Sequence, residues 1–153
     1  MNNSLSYKGF ELSVFLQGIA VNKIYNANNI DNTGMAAAYN QTTDVLKRWQ
    51  GEGTSNSMPR AVFGDPNQNT RVSDRFVENG SYLRLKNITL SYTFPKQWLQ
   101  KAQIENARLS LSCENVATIT GYSGFDPEVG INGIDQNRYP ISRTFSLGLN
   151  FNF

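Results

Sequence analysis

Side chains capable of acid–base or metal chemistry are few in this sequence and are not grouped. There is no histidine, which removes the commonest general base, a frequent metal ligand and every nucleophile pair that depends on an imidazole. The one cysteine, Cys113, allows neither an internal disulfide nor a metal site built from several thiolates, and it is most simply a small hydrophobic residue. We therefore expect no catalytic residue, no metal site and no cofactor.

The segment that starts at Asp65 begins like a calcium-binding loop. Asp65, Asn67 and Asn69 have the alternating spacing with which such a loop presents its oxygen ligands. The same loop requires glycine at its sixth position and glutamate at its twelfth, where this sequence has Thr70 and Phe76. We interpret the segment as a turn-rich surface loop, and whether it binds an ion stays open.

Asp126 and Glu128 are two carboxylates separated by Pro127. A glycoside hydrolase needs two carboxylates that face one glycosidic bond at a fixed separation. Nothing in the sequence indicates that these two converge on a substrate, because they flank a proline in a loop. Their expected role is structural or solvated, and we expect that the chain is not an enzyme.

Four aromatic residues in the irregular segments are candidates for contact with a ligand or a partner protein. Aromatic rings stack on the apolar faces of sugars, so a glycan contact is one use of such residues. Packing within the loop and contact with another protein are commoner uses. The four candidates are Trp49, Tyr122, Phe125 and Tyr139.

The elements that carry these residues are predicted to be strands. The last strand, 143–153, alternates without a break between polar and apolar residues from Thr144 to Phe153, and successive side chains on a strand point to opposite faces. Its apolar residues are Phe145, Leu147, Leu149, Phe151 and Phe153. The apolar face fits a soluble sandwich, where a core buries it, or a transmembrane barrel, where lipid covers it.

Four further strands are predicted at 4–8, 10–25, 81–94 and 108–120. Within the strand 81–94, one face carries Ile88, Leu90, Tyr92 and Phe94. The upstream residues Leu83 and Leu85 have the opposite parity. We interpret this change as a strand whose upper half stands clear of the apolar medium, and a β-bulge near Lys86 is the alternative.

Two long loops, 26–80 and 121–142, separate the strands, and the first contains a short helical candidate at about 35–49. Connections between antiparallel strands alternate between the two ends of a sheet. The short connections, 8–9 and 95–107, therefore fall at one end and the long loops at the other. Outer-membrane barrels have short periplasmic turns and long extracellular loops, so this sorting favours an all-β, up-and-down transmembrane barrel segment.

Composition sets further limits on the chain. Its 153 residues make one domain or a piece of one, and the net charge of +2 predicts no nucleic-acid partner. No segment has the roughly 18 continuous apolar residues of a membrane helix. The opening MNNSLSYKGF has neither the basic nor the apolar region of a signal peptide, which suggests a piece of a longer protein. A soluble β-sandwich binding module, for example one for carbohydrates, is the alternative to the barrel.

Particular segments give the chain a family resemblance. It resembles the C-terminus of the SusC/RagA family of TonB-dependent outer-membrane transporters of Bacteroidetes, and the resemblance covers nearly the whole chain. GSYLRLKNITLSYTFP (80–95) is its most specific piece. The other matching segments are YKGFELSVFLQG (7–18), NKIYN (22–26), DRFVEN (74–79), YSGFDPEVG (122–130) and RTFSLGLNFNF (143–153), with VLKRWQ (45–50) and FGDPNQN (63–69) at family-like positions.

The resemblance implies a barrel of roughly 22 strands with a plug in its lumen, of which this chain supplies about five C-terminal strands. It implies a SusD-like surface lipoprotein that closes the barrel mouth, and import of oligosaccharides or peptides driven by the TonB complex. The plug and the TonB-contacting segment are expected outside these 153 residues. The substrate cannot be deduced from the sequence.

The barrel interpretation assigns roles to the residues of the apolar faces. Lipid contact is expected for Phe145, Leu147, Leu149, Ile88 and Leu90. An aromatic girdle at the inner membrane interface is expected to include Tyr92, Phe94, Phe151 and Phe153. Barrels that the chain resembles often end in an aromatic residue that the assembly machinery recognises, so Phe153 is also a candidate assembly signal.

Overall fold

The chain consists of strands joined by connections of very unequal length. A computed structural model describes all residues, 1–153. Its helices are α1 (Asn28–Asn32) and α2 (Lys96–Leu99), with single 3-10 turns at Thr43–Lys47, Asp74–Phe76 and Gln100–Ala102. Its strands are β1 (Asn2–Tyr7), β2 (Phe10–Ile19), β3 (Lys23–Asn26), β4 (Val77–Asn79), β5 (Tyr82–Thr93), β6 (Asn106–Thr120), β7 (Ile134–Asp135) and β8 (Thr144–Asn152).

The chain divides into two compact units. The sheet unit contains Met1–Ala20, Ser81–Gly121 and Pro140–Phe153, and the loop unit contains Val21–Gly80 and Tyr122–Tyr139. No helix in either unit has the length and hydrophobicity that a membrane-crossing helix needs.

The sheet unit is one five-stranded sheet in the order β1-β2-β5-β6-β8, with every neighbouring pair antiparallel. This arrangement confirms the prediction of an all-β, antiparallel fold. The β1–β2 hairpin turns at Lys8 and Gly9, which have φ values of 46° and 88°. A Cβ on Gly9 would lie 2.9 Å from the carbonyl oxygen of Thr93, so both the backbone conformation and the close approach of β5 require glycine there.

Both short connections lie at the same end of this sheet. The amide of Thr93, at the end of β5, donates to the carbonyl oxygen of Gly9 in the β1–β2 turn. Asn106, at the start of β6, lies opposite Asn152, at the end of β8. The chain leaves the sheet for the two long loops at the opposite end, after Ile19 and after Thr120.

The change of parity in β5 is caused by a β-bulge. Phe15 of β2 pairs with Asn87, but the next residue, Leu16, pairs with Leu85, which leaves Lys86 as an extra residue on β5. Because Leu16 keeps the face of β2 that it shares with Val14, its partner Leu85 lies on the same face as Ile88. The preferred interpretation, in which the upper half of the strand changes its environment, was therefore wrong, and the alternative bulge is confirmed.

The loop unit has its own three-stranded sheet. β3 lies in the centre, antiparallel to β4 and parallel to β7. Ile24 of β3 and Phe76, which precedes β4, are its largest fully buried apolar side chains. The ring of Phe76 packs edge-on to Tyr25 at a centroid distance of 6.1 Å.

Two predicted elements of this region were wrong. The predicted strand 10–25 is divided, because β2 ends at Ile19 and β3 begins at Lys23, with Val21 at a φ of 59° between them. The predicted helix at 35–49 does not form: only Thr43–Lys47 makes a 3-10 turn, and Arg48 is already extended. The apolar residues at helical spacing there provide no continuous face for packing, since Val45 is half-buried and Leu46 is exposed.

Candidate functional site

The first candidate is the apolar face of the sheet unit. Residues directly opposite each other on antiparallel strands share a face, so the pairings define rows across the sheet. One row contains a leucine from each of the five strands, namely Leu5, Leu12, Leu90, Leu111 and Leu147. The next row contains Val14, Ile88, Cys113 and Phe145. The structure therefore brings the residues predicted to contact lipid onto one continuous surface.

The opposite face is mostly polar, with Phe15 and Ile19 as apolar exceptions. One row carries a hydroxyl group on every strand, from Ser4, Ser13, Thr89, Ser112 and Ser146. Beside it the guanidinium of Arg108 donates to Glu11 Oε2 at 2.8 Å and to Ser91 Oγ at 2.7 Å. Arg84 Nε donates to Thr118 Oγ1 at 2.9 Å.

Several residues on the two faces have an exposure opposite to that expected in a water-soluble domain. Leu147 is 74% exposed and Leu5 is 71% exposed on the apolar face. On the polar face Arg84 and Ser91 are each only 3% exposed. A water-soluble domain buries its apolar side chains and exposes its charged ones. An apolar surface of this extent marks contact with lipid or with another protein.

The height of the apolar surface can be compared with a bilayer. Along β5 it extends from Leu83 to Phe94, which is ten strand steps once the extra residue Lys86 is discounted. At a rise of about 3.3 Å per residue this distance is roughly 33 Å. A strand tilted by roughly 40° would cover roughly 25 Å of bilayer, which equals the apolar band of outer-membrane barrels.

Aromatic rings concentrate at the short-connection end of this surface. The ring of Tyr92 lies 4.5 Å from that of Phe10 and 5.1 Å from that of Phe94, and Trp98 continues the series. Phe151 and Phe153 form a second pair at 6.4 Å. Sequence reasoning missed the contributions of Tyr7, Phe10 and Trp98, although Tyr7 and Phe10 flank the predicted two-residue turn at the same end.

The second candidate lies in the loop unit, where Glu78 of β4 organises a polar network. Its Oε1 accepts hydrogen bonds from Asn26 Nδ2 at 3.0 Å, Asn29 Nδ2 at 2.9 Å and Ser123 Oγ at 2.7 Å. Its Oε2 accepts from the amide of Ser123 at 3.0 Å. This carboxylate therefore links β3, the start of α1 and the second long loop.

Tyr122 is a structural member of the same region. Its side chain is buried, and its hydroxyl donates to Asp135 Oδ2 at 2.7 Å. Burial raises the pKa of Tyr122, and the hydrogen bond to Asp135 acts in the same direction, so the phenol stays neutral. Tyr122 is thus not placed for direct contact with a ligand, contrary to its selection as a candidate.

The other three aromatic candidates are accessible but do not converge. Trp49 lies beneath the guanidinium of Arg60, at 5.9 Å from the ring centroid to Cζ. Tyr139 is exposed and lines neither of the two cavities described below. Phe125 is 73% exposed and borders a cavity, which makes it the candidate whose surroundings can hold a ligand.

The motif that begins at Asp65 is a turn, and its carboxylate is used by the loop itself. Oδ1 accepts from the amide of Asn69, and Oδ2 accepts from the amide and hydroxyl of Thr70. Burial acts to raise the pKa of Asp65, but these hydrogen bonds outweigh it and leave the pKa below its ordinary value. No group of three or more acidic, cysteine or histidine side chains in the chain is arranged to hold a metal ion.

Asp126 and Glu128 also serve a local turn. Asp126 Oδ1 accepts from the amide of Glu128 at 2.8 Å, and Asp126 is buried. The side chain of Asp126 thus stabilises the backbone of the loop two residues further along the chain.

Two adjoining cavities lie beside α1 in the loop unit. The larger, about 630 Å³, is lined by Ala27, Asn28, Asp31, Asn32, Phe125, Gln136 and Asn137. The smaller, about 240 Å³, shares several of these residues and adds Asn26, Asn29, Thr42, Asp44, Ser123 and Gly124. Their linings are dominated by side-chain amides, which both donate and accept hydrogen bonds. Sequence reasoning missed this cluster, although the run NANNIDN (26–32) supplies four of the asparagines.

Comparison with known proteins identifies relatives along the full length of the chain. No model of a known protein family matches it. It is 34% identical over 163 aligned residues to TonB-dependent receptor P3 of Formosa agariphila, with 99% of the chain and 16% of that receptor covered. It is 32% identical over 161 aligned residues to TonB-dependent receptor SusC of Bacteroides thetaiotaomicron, with 100% of the chain and 15% of SusC covered.

Solved structures show the same relationship. The chain superposes on the RagAB peptide importer in its closed-closed state with a TM-score of 0.83 and 29% identity, covering 97% of this chain and 16% of the other. A structure of the RagAB peptide transporter gives a TM-score of 0.81 with the same identity and coverage. The chain thus spans about a sixth of the length of the proteins it matches. From these similarities and the antiparallel sheet, we conclude that the chain belongs to the SusC/RagA family of TonB-dependent receptors.

Proposed function

We propose that this chain forms part of the C-terminal barrel wall of an outer-membrane, TonB-dependent transporter for nutrients. The observation that carries the proposal is the inverted sheet, whose leucine row is exposed apart from the half-buried Leu12, while Arg84 and Ser91 on the opposite face are buried. Lipid would cover the leucine row, and the polar rows would face the lumen of a barrel completed by the rest of the protein. Membership of the SusC/RagA family supports the same conclusion.

The connections support an orientation in the membrane. The short turns at Lys8–Gly9 and after β5 would face the periplasm, with the aromatic cluster around Tyr92 at the inner interface. The two long loops would face the outside of the cell. They would meet a SusD-like surface lipoprotein, which the family resemblance implies as the lid of the barrel.

Transport by such a protein consists of binding and gated passage without covalent chemistry. The plug of the barrel would block the lumen, and the TonB complex would supply the energy that opens it. Oligosaccharides or peptides are the expected cargo. The RagAB structures are described as a peptide transporter and importer, and this description applies to RagAB.

An uptake assay tests this proposal. Cells that produce the full-length transporter and its SusD-like lipoprotein would be given labelled hexasaccharides and hexapeptides, with and without an uncoupler of the proton-motive force. We expect uptake of at least one class, abolished by the uncoupler and by deletion of the transporter gene. Uptake that is unchanged by gene deletion for every member of both classes would contradict the proposed function.

A soluble β-sandwich binding module is the second candidate function. It requires the apolar face of the sheet to be buried in a core, and the exposed row from Leu5 to Leu147 disfavours it. Such a module would remain soluble without detergent, whereas the barrel segment would not. The barrel segment has two unpaired edge strands, β1 and β8, and an exposed apolar face. The edges need the other strands of the barrel, and the apolar face needs lipid.

A further inference from the structure

We propose that the cavity beside α1 is a subsite for one uncharged sugar unit of an oligosaccharide, with Phe125 as its stacking surface. This inference rests on the proposed transport function and specifies where and how one cargo class is recognised. The cavity volume of about 630 Å³ lies within the range of ligand sites in proteins, roughly 300–1,000 Å³.

Polar side chains in this cavity differ from several others of the loop unit because they make no hydrogen bonds within the chain. Glu78, Asp65 and Arg75 all direct their polar atoms to partners within the unit. By contrast, no intramolecular side-chain hydrogen bond is made by the cavity residues Asn28, Asp31, Asn32, Gln136 and Asn137. A concave surface with several unused donors and acceptors is suited to a ligand that carries many hydrogen-bonding groups.

Local structure fixes these side chains in two groups. Asn28, Asp31 and Asn32 lie three and four residues apart on α1, so they share one side of that helical turn. Gln136 and Asn137 directly follow β7, which pairs with β3 just before α1 begins. The amide of Ala27 donates to the carbonyl oxygen of Asp135 at 3.0 Å and joins the two groups.

A buried amide beside the adjoining cavity adds to the polar character of this region. Asn26 lines that cavity, is only 2% exposed, and donates through Nδ2 to Glu78 and Ser123. Its Oδ1 has no hydrogen-bond partner in the chain. If Oδ1 and Nδ2 of Asn26 were exchanged, the oxygen would face the Glu78 carboxylate, and two acceptors would oppose each other. The unpaired atom is therefore the oxygen and not the nitrogen. Oδ1 has almost no accessible surface, so this amide adds to the polar surroundings of the cavity without direct contact with a ligand.

The chemistry of the lining favours a sugar over a peptide. Sugar hydroxyls both donate and accept, as side-chain amides do, and the carboxylate of Asp31 can accept from two neighbouring hydroxyls. The exposed ring of Phe125 offers a flat surface for the C–H face of a pyranose. The lining has no basic residue for an acidic group and, besides Ala27 and Phe125, no apolar pocket for peptide side chains.

The experiment measures binding of hexasaccharides to the purified full-length transporter in detergent. The probes are neutral hexasaccharides of glucose, mannose, galactose or xylose, with hexa-alanine for comparison. The test variants are Phe125→Ala and the double variant Asn28→Ala with Asn32→Ala. Asn137 is left unchanged because its φ of 61° is poorly tolerated by other residues. The matched controls, Phe63→Ala and Asn40→Ala, change exposed residues of the same unit outside both cavities.

We expect the wild type to bind at least one hexasaccharide. Each lost hydrogen bond should weaken binding about three- to tenfold, so the double variant should lose roughly tenfold or more. The controls should stay within about twofold, and all variants should keep wild-type heat-modifiable gel mobility. Equal affinities in wild type and test variants, equal losses in the controls, or binding of hexa-alanine without any hexasaccharide would overturn the subsite. In each of these cases, uptake by wild-type cells that is abolished by the uncoupler would still support the proposed transport function.

Discussion

Leu16 of β2 lies directly opposite Leu85 of β5, in the same register as Gln17 and Arg84, but the register changes between Phe15 and Leu16. Phe15 pairs with Asn87, and Lys86 between Leu85 and Asn87 has no opposite partner on β2. Because of this extra residue, the alternation of side-chain faces in the part of β5 before Lys86 is shifted by one position relative to the part after it. Leu83 and Leu85 therefore stay on the apolar face, and Arg84 stays on the polar face with Gln17 and Thr118.

Deletion of Lys86 should prevent correct assembly of the full-length barrel. Without the extra residue, Leu85 and Leu83 would turn to the polar face and Arg84 to the apolar one, because a one-residue slip exchanges the faces of a strand. The folded fraction, measured by heat-modifiable gel mobility in outer-membrane preparations, should fall strongly. Deletion of Ser57, an exposed residue in the long loop, is the control and should leave it near wild type. Comparable folded fractions for the two deletions would show that the bulge does not set the faces.

Arginine should be tolerated very differently at adjacent positions of β8. Leu147→Arg places a cation in the middle of the leucine row, where the cost near the bilayer midplane is roughly 2–4 kcal/mol. Ser146→Arg points to the polar face and should cost much less. Leu149→Arg, one row nearer the aromatic end, should fall between them because the cost declines with distance from the midplane. Unfolding by guanidinium in lipid vesicles measures the three values, and equal values would mean that the faces are misassigned.

Removal of the Asp65 charge should loosen the turn that it holds. Folding lowers the pKa of this carboxyl below its ordinary value of 3.8, so its stabilisation is fully present above that value and is lost as the pH falls through the lowered one. Asp65→Asn should therefore show its full effect at neutral pH, as faster amide hydrogen exchange in residues 64–72. Asp44→Asn, which removes an exposed ion pair with Lys47, should leave this peptide unchanged. Unaltered exchange in Asp65→Asn would contradict the role of the carboxylate.

Glu78→Gln should weaken the polar network of the loop unit. The glutamine amide would present donors to at least one of the groups that now donate to the carboxylate, and such hydrogen bonds to a charged group contribute about 1.5–3 kcal/mol each. We expect faster hydrogen exchange around Asn26 and Ser123, with no change in the sheet unit. Glu52→Gln, at an exposed loop position, is the control. Exchange that is equally slow in both variants would show that Glu78 contributes little.

The sheet unit could be predicted well because its signals are local and repeated. Alternation along 144–152 fixes the two faces of β8 without any knowledge of its neighbours. The bulge at Lys86 could be offered only as an alternative, since a change of parity does not distinguish a bulge from a change of surroundings. The pairing of Leu16 with Leu85 decides between the two interpretations. This pairing cannot be deduced from the sequence of β5 alone.

The loop unit was predicted less well because long-range contacts determine it. The apolar residues near Val45 suggested a helix, but the chain there forms a single 3-10 turn. Tyr122 was selected as a loop aromatic residue that could contact a ligand, whereas its partner Asp135, thirteen residues away, holds it in the interior. The cavity beside α1 depends on β7 lying next to β3, which no periodicity in the sequence indicates.

The depth and solvent exposure of individual side chains in a bilayer test the central claim most directly. The full-length transporter would carry Cys113→Ala and a single spin label at Leu111→Cys, Leu147→Cys or Ser146→Cys, reconstituted in lipid vesicles. Collision rates with oxygen, which concentrates in lipid, and with a water-soluble nickel chelate would be measured for each label. We predict high oxygen and low nickel accessibility at Leu111 and Leu147, and the reverse at Ser146. High nickel accessibility at both leucine positions would contradict the assignment of the leucine row to the lipid face.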